Sequence, residues 1–152
     1  MPKGDLGPVL EFLRLLWAIE QGLNRTSRAM LRSHGITGEQ RLLVRVLGKL
    51  GPTTPGRLAT TLHLHPATVI RLARPLERAR ILVRRPDPGD GRQVLLALGP
   101  AARKVDALDA GTVEAAVRAA LRKVPAARVG AARDVLVELA RQLGVRHLAR
   151  KG

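Results

Sequence analysis

Arg71, Arg74 and Arg78 recur at intervals of three and four residues behind the segment His65-Pro66-Ala67-Thr68. On a helix this spacing gathers them, with Ala67 and Thr68, on one outward side. A second cationic group follows in a β-rich stretch. Arg84 and Arg85 close the run Ile81-Leu82-Val83-Arg84-Arg85, and Arg92 stands just before Gln93-Val94-Leu95-Leu96-Ala97-Leu98. Guanidinium groups pair with phosphate oxygens and, bidentately, with the edge of guanine. A cationic helix beside a cationic hairpin can enter a major groove while the hairpin reaches the backbone or minor groove. Duplex DNA is therefore the leading partner.

The residue types suggest distinct roles. Thr68 has a short hydroxyl side chain that can bond a phosphate or a base edge without crowding a groove. Arg71 lies one turn beyond Ala67 on the same side and is expected to read a base. Arg74 and Arg78 lie further along and are expected on phosphates, which position without specifying. His65 stands at the helix entrance, where the dipole and free amides favour a phosphate. Arg84 extends this cationic surface, and Arg92 is placed to insert into a narrow minor groove. Asp90, two residues before Arg92, is expected to hold its guanidinium or the loop. A carboxylate facing phosphate would instead cost affinity. For every arginine the competing reading is a solvated surface charge.

Other chemistries find little support. Cysteine is absent, which removes disulfides, thiol nucleophiles and thiolate metal sites. His63 and His65 form a His-x-His pair with His34 as a third candidate, and imidazoles bind zinc. Spacing of two on a turn is weak for a metal, so neither metal nor other cofactor is expected. Ser27 and Ser33 fall in a helical pattern without a base, and no glycine-rich phosphate loop or carboxylate pair occurs. The chain is not expected to be an enzyme. His147, with Arg146, Arg150 and Lys151, reads as a solvated tail.

Composition points the same way. The 152 residues carry 27 Lys and Arg against 12 Asp and Glu, a net charge of +15. Such an excess favours polyanions through counterion release, although charge alone does not separate DNA from RNA or an anionic membrane. Phe12 and Trp17 are the only aromatic residues. Readers of single strands and RNA loops stack bases on aromatic rings, so their scarcity favours a duplex. No secretory pattern is read at the start, and no apolar run approaches the roughly 20 residues of a membrane span. A cytoplasmic location fits these features.

The elements that must position the arginines are legible in punctuation and period. Val9 to Ser33 reads as one long helix, with Leu13, Leu16, Trp17, Leu23, Met30 and Leu31 near helical spacing and Gly35 as its stop. Thr37 with Gln40 forms a capping box for a helix running to about Lys49, its inner side Leu43, Val46, Leu47 and Leu50. Pro55 opens a short helix through Leu62, and Pro66 opens the arginine-bearing one, whose buried stripe is Val69, Leu72, Ala73 and Leu76. Pro75 is expected to kink or weaken its C-terminal part. A Pro/Gly/Asp loop, Pro86 to Arg92, joins the two β-rich runs as a hairpin. Ala101 to Lys123 and Pro125 to about Arg146 read as two further helices.

This order of helix, helix, turn, helix and hairpin resembles the MarR family of bacterial transcription regulators. The resemblance rests on Gly35-Ile36-Thr37-Gly38-Glu39-Gln40, on Leu58-Ala59, and on Ala67-Thr68-Val69-Ile70-Arg71. Leu76-Glu77 and Asp90-Gly91-Arg92 complete it. It implies a mainly α fold with a small β-hairpin wing. Residues 36–99 would form a winged helix-turn-helix DNA-binding lobe, and residues 1–35 and 100–152 a helical dimerisation lobe. It also implies a homodimer acting as a sequence-specific repressor, released by a small, often aromatic or anionic effector. Three features depart from the family pattern. Arg80 stands where a glycine usually precedes the wing, Arg74 replaces an acidic residue ahead of Pro75, and Leu98-Gly99 replaces Leu-Thr.

Wide apolar faces on the terminal helices suit the implied dimer, with Leu10, Leu13, Leu16, Trp17, Val117, Leu121, Val135, Leu136, Leu139 and Leu143 as candidates. Trp17 reads as core, the rival being that Trp17 and Arg14 line an effector cleft. Two alternatives to a specific regulator stay open. One is a nucleoid-like architectural DNA binder with little sequence specificity; the other is a winged-helix module that meets an acidic protein.

Overall fold

The computed structural model of the protein describes residues 4–146; His147, Arg150 and Lys151 lie outside them. The chain runs α1 (Gly7–His34), α2 (Gly38–Leu50), α3 (Pro55–Leu62), α4 (Pro66–Arg78), β1 (Leu82–Pro86), β2 (Val94–Leu98), α5 (Ala102–Asp106), α6 (Val113–Arg122) and α7 (Ala126–Gln142). It is a mainly helical chain with one antiparallel hairpin, in which Leu82 faces Leu98 and Pro86 faces Val94.

The helix starts follow their capping chemistry. Thr37 accepts from the Gln40 amide at 3.1 Å, and Gln40 Oε1 accepts from the Thr37 amide at 3.0 Å. Thr54 caps α3 through its hydroxyl alone, accepting from the Arg57 amide at 3.2 Å. Helices α3 and α4 close without glycine. After α3, His63 adopts φ 55°, and the Leu64 amide reaches back to the Ala59 carbonyl at 2.9 Å. After α4, Arg80 adopts φ 58°, and the Ile81 amide reaches the Leu76 carbonyl at 2.9 Å. Both are Schellman closures. At each, a side chain occupies the left-handed region that glycine enters without strain. Arg80 thus holds the backbone shape for which the family pattern uses glycine. Gly99 packs directly on it: a Cβ at Gly99 would lie 2.2 Å from the Arg80 carbonyl oxygen. A threonine could not stand there.

One core ties α2, α3, α4 and the hairpin together, built from Ile36, Leu43, Leu47, Leu58, Val69, Leu72, Leu76, Leu82 and Leu96, with Val105 of α5 in the same cluster. Thr53 adds a short third rung to the wing, exchanging two backbone hydrogen bonds with Leu96 at 3.0 and 2.8 Å.

Several expectations are corrected. Ala101 to Lys123 is not one helix: α5 stops at Asp106, Gly111 takes φ 77°, and α6 restarts at Val113 behind Thr112. The buried Thr112 hydroxyl donates to the Asp109 carbonyl at 2.7 Å and accepts from the Ala115 amide at 3.1 Å, so a local cap outcompetes continuous helix. Helix α7 ends at Gln142, closed by Gly144 at φ 71°. Leu50 does not face the core but is 40% exposed, whereas the unremarked Val44 is buried. Helix α4 continues through Pro75 to Arg78. The missing donor at Pro75 would have met the Arg71 carbonyl, and both residues lie on the exposed side of the helix.

Candidate nucleic-acid interface

Helix α4 is divided lengthwise. Val69, Leu72, Ala73 and Leu76 are buried, while Ala67, Arg71, Arg74 and Arg78 are exposed and Thr68 is half-buried. Among the described residues, Arg71, Arg74 and Arg78 have no ion pair. His65 is the N-cap of the helix: its Nδ1 accepts from the Ala67 amide at 3.1 Å. An acceptor Nδ1 in a neutral ring puts the proton on Nε2, which leaves Nε2–H as a donor beside the helix N-terminus.

The wing tip is ordered by two aspartates. Asp90 Oδ1 accepts from the Arg92 backbone amide at 3.1 Å, and the Asp90 carbonyl accepts from Gln93 at 2.9 Å. Asp87, a loop residue without a distinguishing signal in the sequence, accepts from the Gly89 amide at 2.9 Å, and its own amide donates to the Gln93 carbonyl at 3.0 Å. The partner of the Asp90 carboxylate is thus a loop amide. The Arg92 guanidinium has no ion pair among the described residues and remains exposed.

Arg84 differs from the other arginines. Its guanidinium meets Glu77 of α4, with Nε donating to Oε1 and Nη2 to Oε2 at 3.4 Å. Donating these hydrogen bonds to the Glu77 carboxylate raises the Arg84 pKa above its ordinary value. This pair ties the wing to α4 and gives a physical account of the Leu76-Glu77 step: the first side chain enters the core and the second anchors β1. Arg84 keeps 48% of its side chain exposed, so a phosphate would compete with Glu77 for it. Arg85, next in the strand, is exposed.

A second charged group was not found from sequence. Arg41, 95% buried at its side chain, donates through Nη1 to Glu114 and through Nη2 to the Leu108 carbonyl at 2.6 Å. Arg45 Nε reaches Glu114 Oε2 at 3.1 Å and its Nη1 reaches Asp106 at 3.1 Å. Arg118 joins Glu114 at 3.0 Å and Asp109 at 2.6 Å. Partial burial acts to raise the Glu114 carboxyl, but hydrogen bonds from Arg45 and Arg41 outweigh it and hold the pKa at about 2. A signal was present in the pattern: Arg41 falls with Val44 on the core side of α2, and a charge there demands a partner.

Beside this group opens a cleft of about 830 Å³ between α1, α2 and α6, lined by Leu23, Met30, Leu42, Val46, Val113 and Val117 among others. Neither Arg14 nor Trp17 lines it. Trp17 is not core either: it is 57% exposed, because nothing within the described chain covers the N-terminal part of α1. His34, His63 and His65 form no metal-binding group among the described residues, and no described helix is long and apolar enough to cross a membrane.

The MarR family model matches residues 34–93, the span from the end of α1 to the wing tip. No curated protein matches the chain. Among solved structures, a probable transcriptional regulator from Pseudomonas aeruginosa aligns at 25% identity and a TM-score of 0.59, over 82% of this chain and 96% of its own. MepR of S. aureus, solved as a DNA complex, aligns at 20% identity and a TM-score of 0.70, over 87% and 97%. FabT of Streptococcus pneumoniae, solved with DNA, aligns at 21% identity and a TM-score of 0.66, over 90% and 98%. Residues 34–93 thus match the MarR family of transcription regulators, and the fold around them is the winged-helix fold of these structures.

Proposed function

We propose that the protein is a cytoplasmic, dimeric transcription regulator that binds double-stranded DNA sequence-specifically and represses until a small effector releases it. The observation that carries the DNA reading is the outward side of α4. There Arg71, Arg74 and Arg78 stand exposed and, among the described residues, without ion pairs, next to a wing whose Arg92 is likewise unpaired among them. In this reading Arg71, with Ala67 and Thr68, meets base edges. His65, Arg74, Arg78 and Arg84 meet phosphates. Arg92 enters the minor groove, and Asp90 acts only by ordering the wing. Residues 36–99 serve as the DNA-binding lobe, and residues 1–35 and 100–152 as the dimerisation lobe.

The dimer is supported by apolar side chains left outside on α1, α6 and α7, including Trp17, Val117 and Leu136. Two copies related by a two-fold axis would set their α4 helices about 34 Å apart, one turn of DNA. The effector reading is supported by the cleft, which has the size of a small-molecule site. Repression is the mode that the family resemblance implies.

The test is selection of duplexes from a random pool, followed by titration against a random-sequence competitor and light scattering at micromolar concentration. A retained consensus and a dimer are expected. Equal affinity for selected and random duplexes at every salt concentration would favour the architectural reading. Arg25, Arg28 and Arg32, exposed along α1, give that reading its specific support. No duplex binding at low salt would leave the protein-interaction module.

A further inference from the structure

Helix α2 is held from two directions. On one side Gln40 Nε2 donates to the Leu72 carbonyl of α4 at 3.4 Å, and Leu43 and Leu47 share the buried core with Val69 and Leu76. On the other, Arg41 and Arg45 converge on Glu114 of α6. Glu114 is braced in turn by Arg118, whose second contact is Asp109 in the loop that Thr112 closes. Backbones also approach at this junction. A Cβ at Gly38 would lie 3.0 Å from Val113 Cγ2, and the Gly38 amide donates to Ser27 of α1 at 2.9 Å.

We propose that Glu114, with Arg41 and Arg45, is an ionic strut that sets the angle of the α2–α4 unit against α6, making Glu114 a positioning residue for DNA recognition. The proposal rests on the DNA-binding reading above. Its physical basis is the difference between the two sides of α2. Toward α4 the helix is held mainly by close-packed apolar side chains, whereas toward α6 a carboxylate shared by two guanidinium groups fixes distance and direction at once. The burial of Arg41 makes the arrangement hard to leave, since an unpaired buried cation is costly. A strut of this kind affects which half-site spacing two recognition helices can span, more than how tightly each helix grips its own half-site.

The absence of cysteine permits a clean measurement. Spin labels placed by Thr60→Cys on α3 and Arg122→Cys on α6 report the distance between the two parts of one chain, with labelled chains diluted by unlabelled protein. Glu114→Gln is expected to broaden that distance distribution. On the duplex selected by wild type, it is expected to flatten discrimination between the selected spacing and spacings one base pair longer or shorter. The expected change is roughly 3- to 30-fold, the range of coupling carried by such networks. Arg45→Gln, which leaves the buried Arg41 paired, should act in the same direction and more weakly, and serves if Glu114→Gln does not fold. A variant with lowered thermal stability but wild-type distance distribution and spacing discrimination would overturn the proposal, reducing the strut to a stabilising contact. If wild type selects no duplex, the DNA reading fails by itself; an unbroadened distance distribution in both variants then overturns the strut as well.

Discussion

The winged part of the chain and its terminal helices are built on opposite terms. In α2, α3 and α4, Leu43, Leu47, Leu58, Ala59, Val69 and Ala73 are all fully buried. This part closes its own core and turns its cations outward. In α6 and α7 no residue is buried, and in α1 only Met30 is. Trp17, Leu136 and Leu143 face outward there instead. At about 25 cal/mol per Å², such faces carry a driving force that one chain leaves unspent. The first region thus closes its own apolar core, whereas the second leaves apolar faces that the proposed dimer would cover.

The sharpest way to break this contrast is to damage each region in kind. Leu58→Ala should cost about 2–5 kcal/mol in urea unfolding, the usual cost of a core truncation, and leave the assembly state unchanged. Leu136→Asp should do the reverse, shifting the protein toward monomer in light scattering. A Leu136→Asp protein that stayed dimeric would show that the α7 face is not the cover.

Within the winged region, the two sides of α4 should separate in the same manner. Arg71→Ala should cost roughly 1–3 kcal/mol on the selected duplex and relax discrimination at one base pair. Arg78→Ala should weaken selected and random duplexes alike and lower the salt slope by about one. Identical behaviour of the two variants in both titrations would erase the distinction between base reader and phosphate anchor.

The junction between the regions should respond to acid. The folded-state pKa of Glu114, about 2, lies below the ordinary 4.5. Its pairing therefore contributes stability that is fully present above pH 4.5 and is lost as pH falls toward 2. The carboxylate is partly exposed and screened, so the contribution should be no more than about 1 kcal/mol. The stability gap between wild type and Glu114→Gln, measured by urea unfolding, should be open at pH 7 and closing at pH 3. A gap that stayed constant over this range would remove ionisation of Glu114 as its source.

The smallest expected effect on stability is at the wing tip. Asp90→Ala removes an exposed hydrogen bond to the Arg92 amide and should move the melting temperature little. It should still weaken duplex binding, because a loose loop loses its conformational freedom on association. Arg92→Ala should weaken binding at least as much. Binding by Asp90→Ala that matched or exceeded wild type would remove the ordering role, an excess marking the carboxylate as a repeller of phosphate.

The sequence was most legible where structure is local. Thr37 with Gln40, Pro55, Pro66, and the buried stripe from Val69 to Leu76 announced α2, α3 and α4 within a residue or two, because caps, prolines and helical period act over a few positions. The break after Asp106 is hidden because Ala- and Arg-rich sequence satisfies helix propensity on both sides of it, and Gly111 in the left-handed region together with the Thr112 cap makes it. The outward placement of Leu50 and Trp17 is hidden because period identifies an apolar face without identifying what covers it.

The order of helices and hairpin, the basic surface and the likeness of residues 34–93 to the MarR family were all legible in the sequence, since each is written in neighbouring residues and net charge. Only the tertiary structure decided that Arg84 belongs to Glu77 and that Arg41 and Arg45 belong to Glu114. For an ion pair between residues 73 positions apart, the local pattern around Arg41 shows that a partner is needed but not which residue supplies it. The pair exists because the buried core of α2 brings a guanidinium to a place where water cannot solvate it and one carboxylate can.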